Sequence, residues 1–276
     1  MITLNRHPRN PLINPDKHHP WEHDGAFNGC VAKGPDGYHM VYRALSAEQE
    51  HEGITMRLST IGYAQSNDGI NFGEHRQLIK PTEDWEAFGC EDPRITYLNG
   101  KYYIFYTALS TYPFGPEGIK TAVAITKDFK KFEKHSVSTF NAKAMALFPE
   151  LIDGKLAALI TINTDMPPAK ICLAVFDEES DIWSPYYWQE WYDNANEHII
   201  HFLRDMRDQV ELGGQPIKTK DGWIVVYSYI AQYLSDNKIF GVEAALLELQ
   251  DPRKILGRTS YPLITPEASY ELVGDI

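Results

Sequence analysis

Asn99-Gly100-Lys101-Tyr102-Tyr103-Ile104-Phe105-Tyr106 joins an amide–glycine pair to a run of aromatic and β-branched residues. Such a pair favours the tight turn whose positive φ angles match the twist of a β-hairpin. The same arrangement recurs three more times. Asp36-Gly37 precedes Tyr38-His39-Met40-Val41-Tyr42-Arg43, Asp153-Gly154 precedes Lys155 to Ile160, and Asp221-Gly222 precedes Trp223-Ile224-Val225-Val226-Tyr227. Each is followed by a second apolar run that ends in an acid-bearing turn, as in Ile61-Gly62-Tyr63-Ala64 with Asn67-Asp68-Gly69. The interval from one turn to the next is long enough for a four-stranded antiparallel sheet, which is a propeller blade. Helical periodicity is nowhere sustained, and Glu243 to Leu249, which could pass for a helix, reads as a strand from its place in the repeat. The chain therefore reads as all-β, a single β-propeller domain over residues 1–276, with four blades encoded. No fifth unit follows Gly257. Either the N-terminal 25 residues and the tail share a partial closing blade, or the chain ends early.

Bulk properties narrow the partners. With 38 acidic and 26 basic residues the net charge is -12, which disfavours nucleic acid or an anionic membrane and suits a neutral substrate. Cys30, Cys90 and Cys172 show no CxxC spacing and read as buried free thiols of a reducing compartment. The first residues contain no apolar signal core and no run of 18 apolar residues occurs, so the expected location is the cytoplasm. The histidine-rich stretch from His18 to Asp24, and His198 with His201 and Asp205, lack an established ligand spacing, so no metal is expected. No glycine-rich phosphate loop or GxSxG motif is present, and no cofactor is implied. Trp183, Tyr186, Tyr187, Trp188, Trp191 and Tyr192 could serve as a sugar platform, a subunit contact or packing against a blade, and homo-oligomerisation is left open.

The densest chemistry lies in Phe88-Gly89-Cys90-Glu91-Asp92-Pro93-Arg94. Strand alternation lets only one of Glu91 and Asp92 face a given cleft and puts Asp92 and Arg94 on one side. Pro93 cannot donate to a ladder, which assigns the turn to a strand's open end. Locally this is an Asp–Arg pair at a turn.

Asn10-Pro11-Leu12-Ile13-Asn14-Pro15-Asp16, Phe27-Asn28-Gly29, Tyr42-Arg43-Ala44, Gly62-Tyr63-Ala64 and Glu91-Asp92-Pro93-Arg94 form an ordered series with Leu147-Phe148-Pro149-Glu150, Gly213-Gly214-Gln215-Pro216 and the run from Leu246 to Arg258. Together they resemble glycoside hydrolase family 130, which contains β-mannoside phosphorylases and β-mannosidases on a five-bladed propeller. The resemblance covers nearly the whole chain. It implies that the closing blade is incomplete here, that Asp92 is the proton donor, that Arg43 and Arg94 line the cleft, and that Asn28 contacts substrate.

Inverting cleavage needs an acid for the leaving oxygen and, opposite it, a base that activates water or a phosphate that attacks directly. Where the phosphorylases usually show Tyr-His-Gly this chain has Tyr227-Ser228-Tyr229. Where they show His-Arg it has Thr161-Ile162-Asn163-Thr164, and where a lysine is common it has Glu211. Lys143 is the one retained candidate cation. Lost positive charge with a gained carboxylate disfavours a phosphate pocket and supplies what water activation needs. Glu211 and Glu243 are thus the candidate bases, and Glu150 a candidate sugar-binding carboxylate. The expected activity is inverting hydrolysis of short β-mannosides, with the β-1,2 linkage implied by the resemblance. The alternatives are an inverting phosphorylase that takes inorganic phosphate as co-substrate and releases mannose 1-phosphate, and a non-catalytic glycan-binding propeller.

Overall fold

Both central residues of the Asn99-Gly100 and Asp153-Gly154 turns have positive φ, at 50° and 77° and at 49° and 79°. That is the backbone a two-residue hairpin loop requires. In the computed structural model, which describes residues 4–272, these turns join the first two strands of successive sheets. The first blade runs β1 (Gly25–Gly34), β2 (Gly37–His51), β3 (Ile54–Ser66) and β4 (Arg76–Ile79). The second runs β5 (Gly89–Leu98), β6 (Lys101–Leu109), β7 (Ile119–Thr126) and β8 (Glu133–Ser136). The third has three strands, β9 (Ala142–Leu147), β10 (Leu156–Ile162) and β11 (Lys170–Phe176), followed by helix α1 (Pro185–Asp193). The fourth comprises β12 (Gln209–Leu212), β13 (Ile217–Lys218), β14 (Trp223–Ala231), β15 (Ile239–Leu247) and β16 (Ile255–Arg258). Within each blade neighbouring strands are antiparallel, and the four sheets stand in a ring, as the repeat implies.

The core lies between adjacent blades. Val41 and Ile61 of the first meet Ile95, Ile104 and Tyr106 of the second. Phe105 and Val123 meet Met145, Ile160 and Phe176 of the third. Leu159 and Leu173 then meet Val225 and Tyr227 of the fourth. The apolar runs of β6 and β10 are buried on both faces because a blade stands on each side of them.

Blade three departs from the four-strand expectation. Its aromatic segment forms α1, capped by Ser184 Oγ, and Trp188 and Trp191 fall on its buried face against Phe140 and Phe176. Of the readings open for that segment, packing against the blade is what the fold uses for these two rings. The partial closing blade does not form among the described residues, because residues 4–24 contain no strand. The N-terminal segment is instead tied to the tail by Arg6, which donates to both oxygens of Glu271, at 2.7 and 2.6 Å, and to the Thr265 carbonyl. Hydrogen bonds from Arg6 hold the Glu271 pKa down at about 2. A depressed carboxylate stabilises the folded state above its ordinary pKa, and that stabilisation is lost as pH falls toward 2. Backbone N–H groups of Glu267 and Ala268, which donate to Glu271, should therefore exchange faster at pH 2.5 than at pH 5 after correction for intrinsic rates. Unchanged protection would show the tie to be inert. Cys30, Cys90 and Cys172 are free and buried, and among the described residues no helix is long and apolar enough to cross a membrane.

Candidate active site

Each blade offers its first strand to the centre of the ring, and β1, β5 and β9 are interrupted at similar points. Their pairing registers shift between Phe27 and Cys30, between Glu91 and Arg94, and opposite Leu159 and Thr161. At each shift stands a non-glycine residue with positive φ, namely Asn28 at 52°, Asp92 at 48° and Ala144 at 46°. A bulge of this kind leaves residues unpaired and re-aims their side chains. Asn and Asp tolerate the left-handed region through their short polar side chains, whereas Ala144 carries strain there of roughly 1 kcal/mol.

The bulge in β5 overturns two expectations. Glu91 and Asp92 do not diverge, since one guanidinium reaches both. Arg43 Nη2 lies 2.5 Å from Glu91 Oε1, and Nη1 lies 3.6 Å from Asp92 Oδ1. Pro93 sits inside the strand, where the unpaired bulge position spares the ladder the N–H it lacks.

Around this pair the inner strands converge. Asn28 on β1 donates Nδ2 to Asp92 Oδ1 at 2.6 Å. Arg43 on β2 is steadied by Ser59 Oγ, which accepts from Nε at 3.0 Å. Arg94, buried on β5, donates Nε and Nη2 to the Leu212 carbonyl of blade four and lies 3.8 Å from Glu211 Oε1. Lys143 on β9 donates to Asp165 Oδ1 at 3.1 Å. Glu211 keeps 31% of its side chain exposed, more than Glu91, Asp92 or Asp165 beside it.

The charges are coupled. Burial alone would raise the Asp92 pKa, but Arg43, the Asn28 hydrogen bond, Arg94 and Lys143 outweigh it and hold the carboxyl below its ordinary value. Burial pushes Glu91 up despite Arg43. Glu211 is raised by burial and then by the negative charge of Asp92. Burial would lower Lys143, yet Asp165 and Glu211 keep it above its usual range.

Asp92, Asn28, Arg43, Arg94, Lys143 and Glu211 are thus brought together. Glu243 and Glu150 are engaged elsewhere. Glu243 is fully buried and accepts a bidentate pair from Arg204, at 2.8 and 2.6 Å, and the Tyr227 hydroxyl at 3.1 Å, so its lone pairs are committed to a structural brace. Glu150 is exposed and ion-paired with Lys218. Two acids of the cluster have no role in the sequence reading. Glu91 is excluded there by strand alternation, which the bulge cancels. Asp165 lies in a loop, but the alternate residues Asn141 and Lys143 hint at it, because Asn141 Nδ2 holds Asp165 Oδ2 at 2.8 Å beside the lysine. Among the described residues no group of three His, Cys, Asp or Glu side chains is arranged to hold a metal ion. In the N-terminal histidine cluster, Glu22 is buried and accepts the Tyr42 hydroxyl, with His19 and His75 beside it.

The comparisons agree with this architecture. A family model described as beta-1,4-mannooligosaccharide phosphorylase matches residues 4–276. A 1,2-beta-oligomannan phosphorylase of Thermoanaerobacter sp. (strain X514) is 31% identical, covering 100% of this chain and 87% of the relative. A beta-1,2-mannobiose phosphorylase of the same organism is also 31% identical, over 99% of this chain and 86% of the relative. Among solved structures, the beta-1,2-mannobiose phosphorylase from Listeria innocua in complex with beta-1,2-mannobiose superposes with a TM-score of 0.74 at 24% identity, covering 98% of this chain and 86% of that one. A structure from work describing glycoside hydrolases within the same family, which target beta-1,2 mannosidic linkages in Candida mannan, also gives 0.74, at 22% identity, covering 98% of this chain and 82% of that one. With the matching model spanning all but the first three residues, the chain belongs to glycoside hydrolase family 130.

Proposed function

We propose that this protein cleaves the terminal sugar from β-1,2-linked manno-oligosaccharides with inversion, using inorganic phosphate as the acceptor. The observation that carries the reading is the convergence of Arg43, Arg94 and Lys143 about Asp92. Its weight over water as acceptor comes from the relatives named as phosphorylases of β-1,2-mannosides, which turn the reading away from the hydrolysis expected from the sequence. A phosphate oxygen attacks the anomeric carbon from the face opposite the leaving oxygen. The C–O bond breaks with its electron pair on that oxygen, which takes a proton supplied by Asp92 directly or through a sugar hydroxyl. The products are α-mannose 1-phosphate and the shortened saccharide.

The free site keeps Asp92 ionised, which is the wrong state for a donor. A phosphate dianion among the same cations offsets their pull on the carboxylate, so the proton arrives with the phosphate. Phosphate titrated calorimetrically near pH 6, where it is mostly the monoanion, in buffers of different ionisation enthalpy should show little net proton exchange in wild type, because the proton shed on binding as the dianion passes to Asp92, and release of about one proton in Asp92→Asn. Equal release in both proteins would place the proton elsewhere.

Glu211 favours hydrolysis as a second reading. It is part-exposed, burial and then the negative charge of Asp92 raise its pKa, and Glu91, Asp92, Asp165 and Glu211 outnumber Arg43, Arg94 and Lys143 by one charge. β-1,2-Mannobiose incubated with and without phosphate separates the two. Mannose 1-phosphate formed only with phosphate supports phosphorolysis, whereas phosphate-independent mannose release that disappears in Glu211→Gln supports water as acceptor. No turnover of mannobiose or mannotetraose in either condition refutes both.

A further inference from the structure

Pairing of Gly89 with Leu109 means that Phe88 and the loop from Ser110 to Gly118 leave blade two at one end of the sheet. Glu91 and Asp92 lie at that same end of β5. On the loop, Tyr112 and Phe114 are 46% and 48% exposed, which sets them among the few exposed aromatic rings of the described residues. Phe88 stands 6.2 Å from the Tyr112 ring, and Tyr112 stands 5.4 Å from Phe114 in an edge arrangement, so the rings form a continuous row.

The row is joined to the site at both ends. Gly89, next to Phe88, lies close enough to Ser59 that a Cβ there would stand 3.4 Å from the Ser59 carbonyl oxygen, and the Ser59 hydroxyl holds Arg43. Asn141, which fixes Asp165 beside Lys143, also donates Nδ2 to the Pro116 carbonyl of the loop at 3.3 Å. The loop is held in place as well. Ser110 N donates to the Gly118 carbonyl at 2.9 Å, and a side chain at Gly118 would collide with Thr111.

Exposed rings fixed in a row gain most from a ligand that has both an apolar face and a hydroxylated edge, and a pyranose has both. Continuity with the Asp92 site selects a carbohydrate over a second copy of the chain as occupant. We propose that Phe88, Tyr112 and Phe114 form an accessory sugar-binding wall that receives the distal residues of a manno-oligosaccharide whose scissile bond lies at Asp92. The wall makes the enzyme prefer chains longer than a disaccharide. This rests on the mannoside-cleaving function proposed above.

The test compares kcat/KM for β-1,2-mannobiose and β-1,2-mannotetraose in wild type, Tyr112→Ala, Phe114→Ala and the double variant. Tyr186→Ala, an exposed ring on α1, is the control. The ratio of tetraose to biose should fall about 3- to 10-fold in each single variant, the range expected for loss of one aromatic contact. It should fall further in the double variant and stay constant in Tyr186→Ala. A ratio that does not move overturns the wall while biose cleavage leaves the underlying function standing. Absence of cleavage of both saccharides in wild type removes both. Sedimentation of the same proteins covers the other occupant: a loss of self-association in the double variant without a change in the ratio makes the row a contact between copies and overturns the proposal.

Discussion

Asp92→Asn should lose turnover of β-1,2-mannobiose by about 10²–10⁴-fold in kcat, the range associated with removal of a general acid, while the protein stays folded. Asparagine is the informative substitution because Asp92 sits at φ 48°, a conformation that asparagine tolerates. Alanine at the same position adds left-handed strain of about 1–2 kcal/mol and confounds chemistry with folding. Thermal unfolding with kinetics, on β-1,2-mannobiose with phosphate, checks this. A variant with near-normal kcat would remove Asp92 from the chemistry and leave it as the partner of Arg43.

Arg204→Ala should destabilise the fold by about 3 kcal/mol. It strands the Glu243 carboxylate, which is buried and would keep only Tyr227 as a partner. Because the Arg204 side chain retains 33% exposure, water can partly replace it, which places the effect at the low end of the range for a broken buried pair. For a chain of this size such a loss lowers the thermal midpoint by roughly 5 °C. Turnover per folded molecule should be little changed at a temperature well below the new midpoint. A selective loss of phosphate-independent mannose release in Glu243→Gln, with stability intact, would restore Glu243 as a base.

Blade count and blade order were legible because each blade begins with a local signal. A turn pair such as Asn99-Gly100 determines its own backbone, and an apolar run such as Tyr102 to Tyr106 determines that it must be covered. Neither needs to know what lies on the other side of the ring. The family motifs pointed to Asp92, Arg43, Arg94 and Asn28 in the same way, as short strings whose order along the chain suffices, whereas Lys143 lies in none of them and entered as the one retained cation. Where local rules compete with the tertiary structure they fail. Period-two alternation separates Glu91 from Asp92, yet the β5 bulge lets Arg43 engage both.

By itself, then, the sequence determined a ring of antiparallel blades and the residues that its inner strands carry toward the centre, since turn chemistry and hydrophobic patterning act over a few neighbours. Only the tertiary structure decided which carboxylates meet. Glu243 and Glu211 are both acids on strands of blade four, and nothing local tells them apart. Arg204 reaches the first from a separate loop and commits it to bracing, whereas β12, as the inner strand, sets the second beside Arg94, Lys143 and Asp92. Those partners come from other blades, so their contacts exist only once the ring has formed.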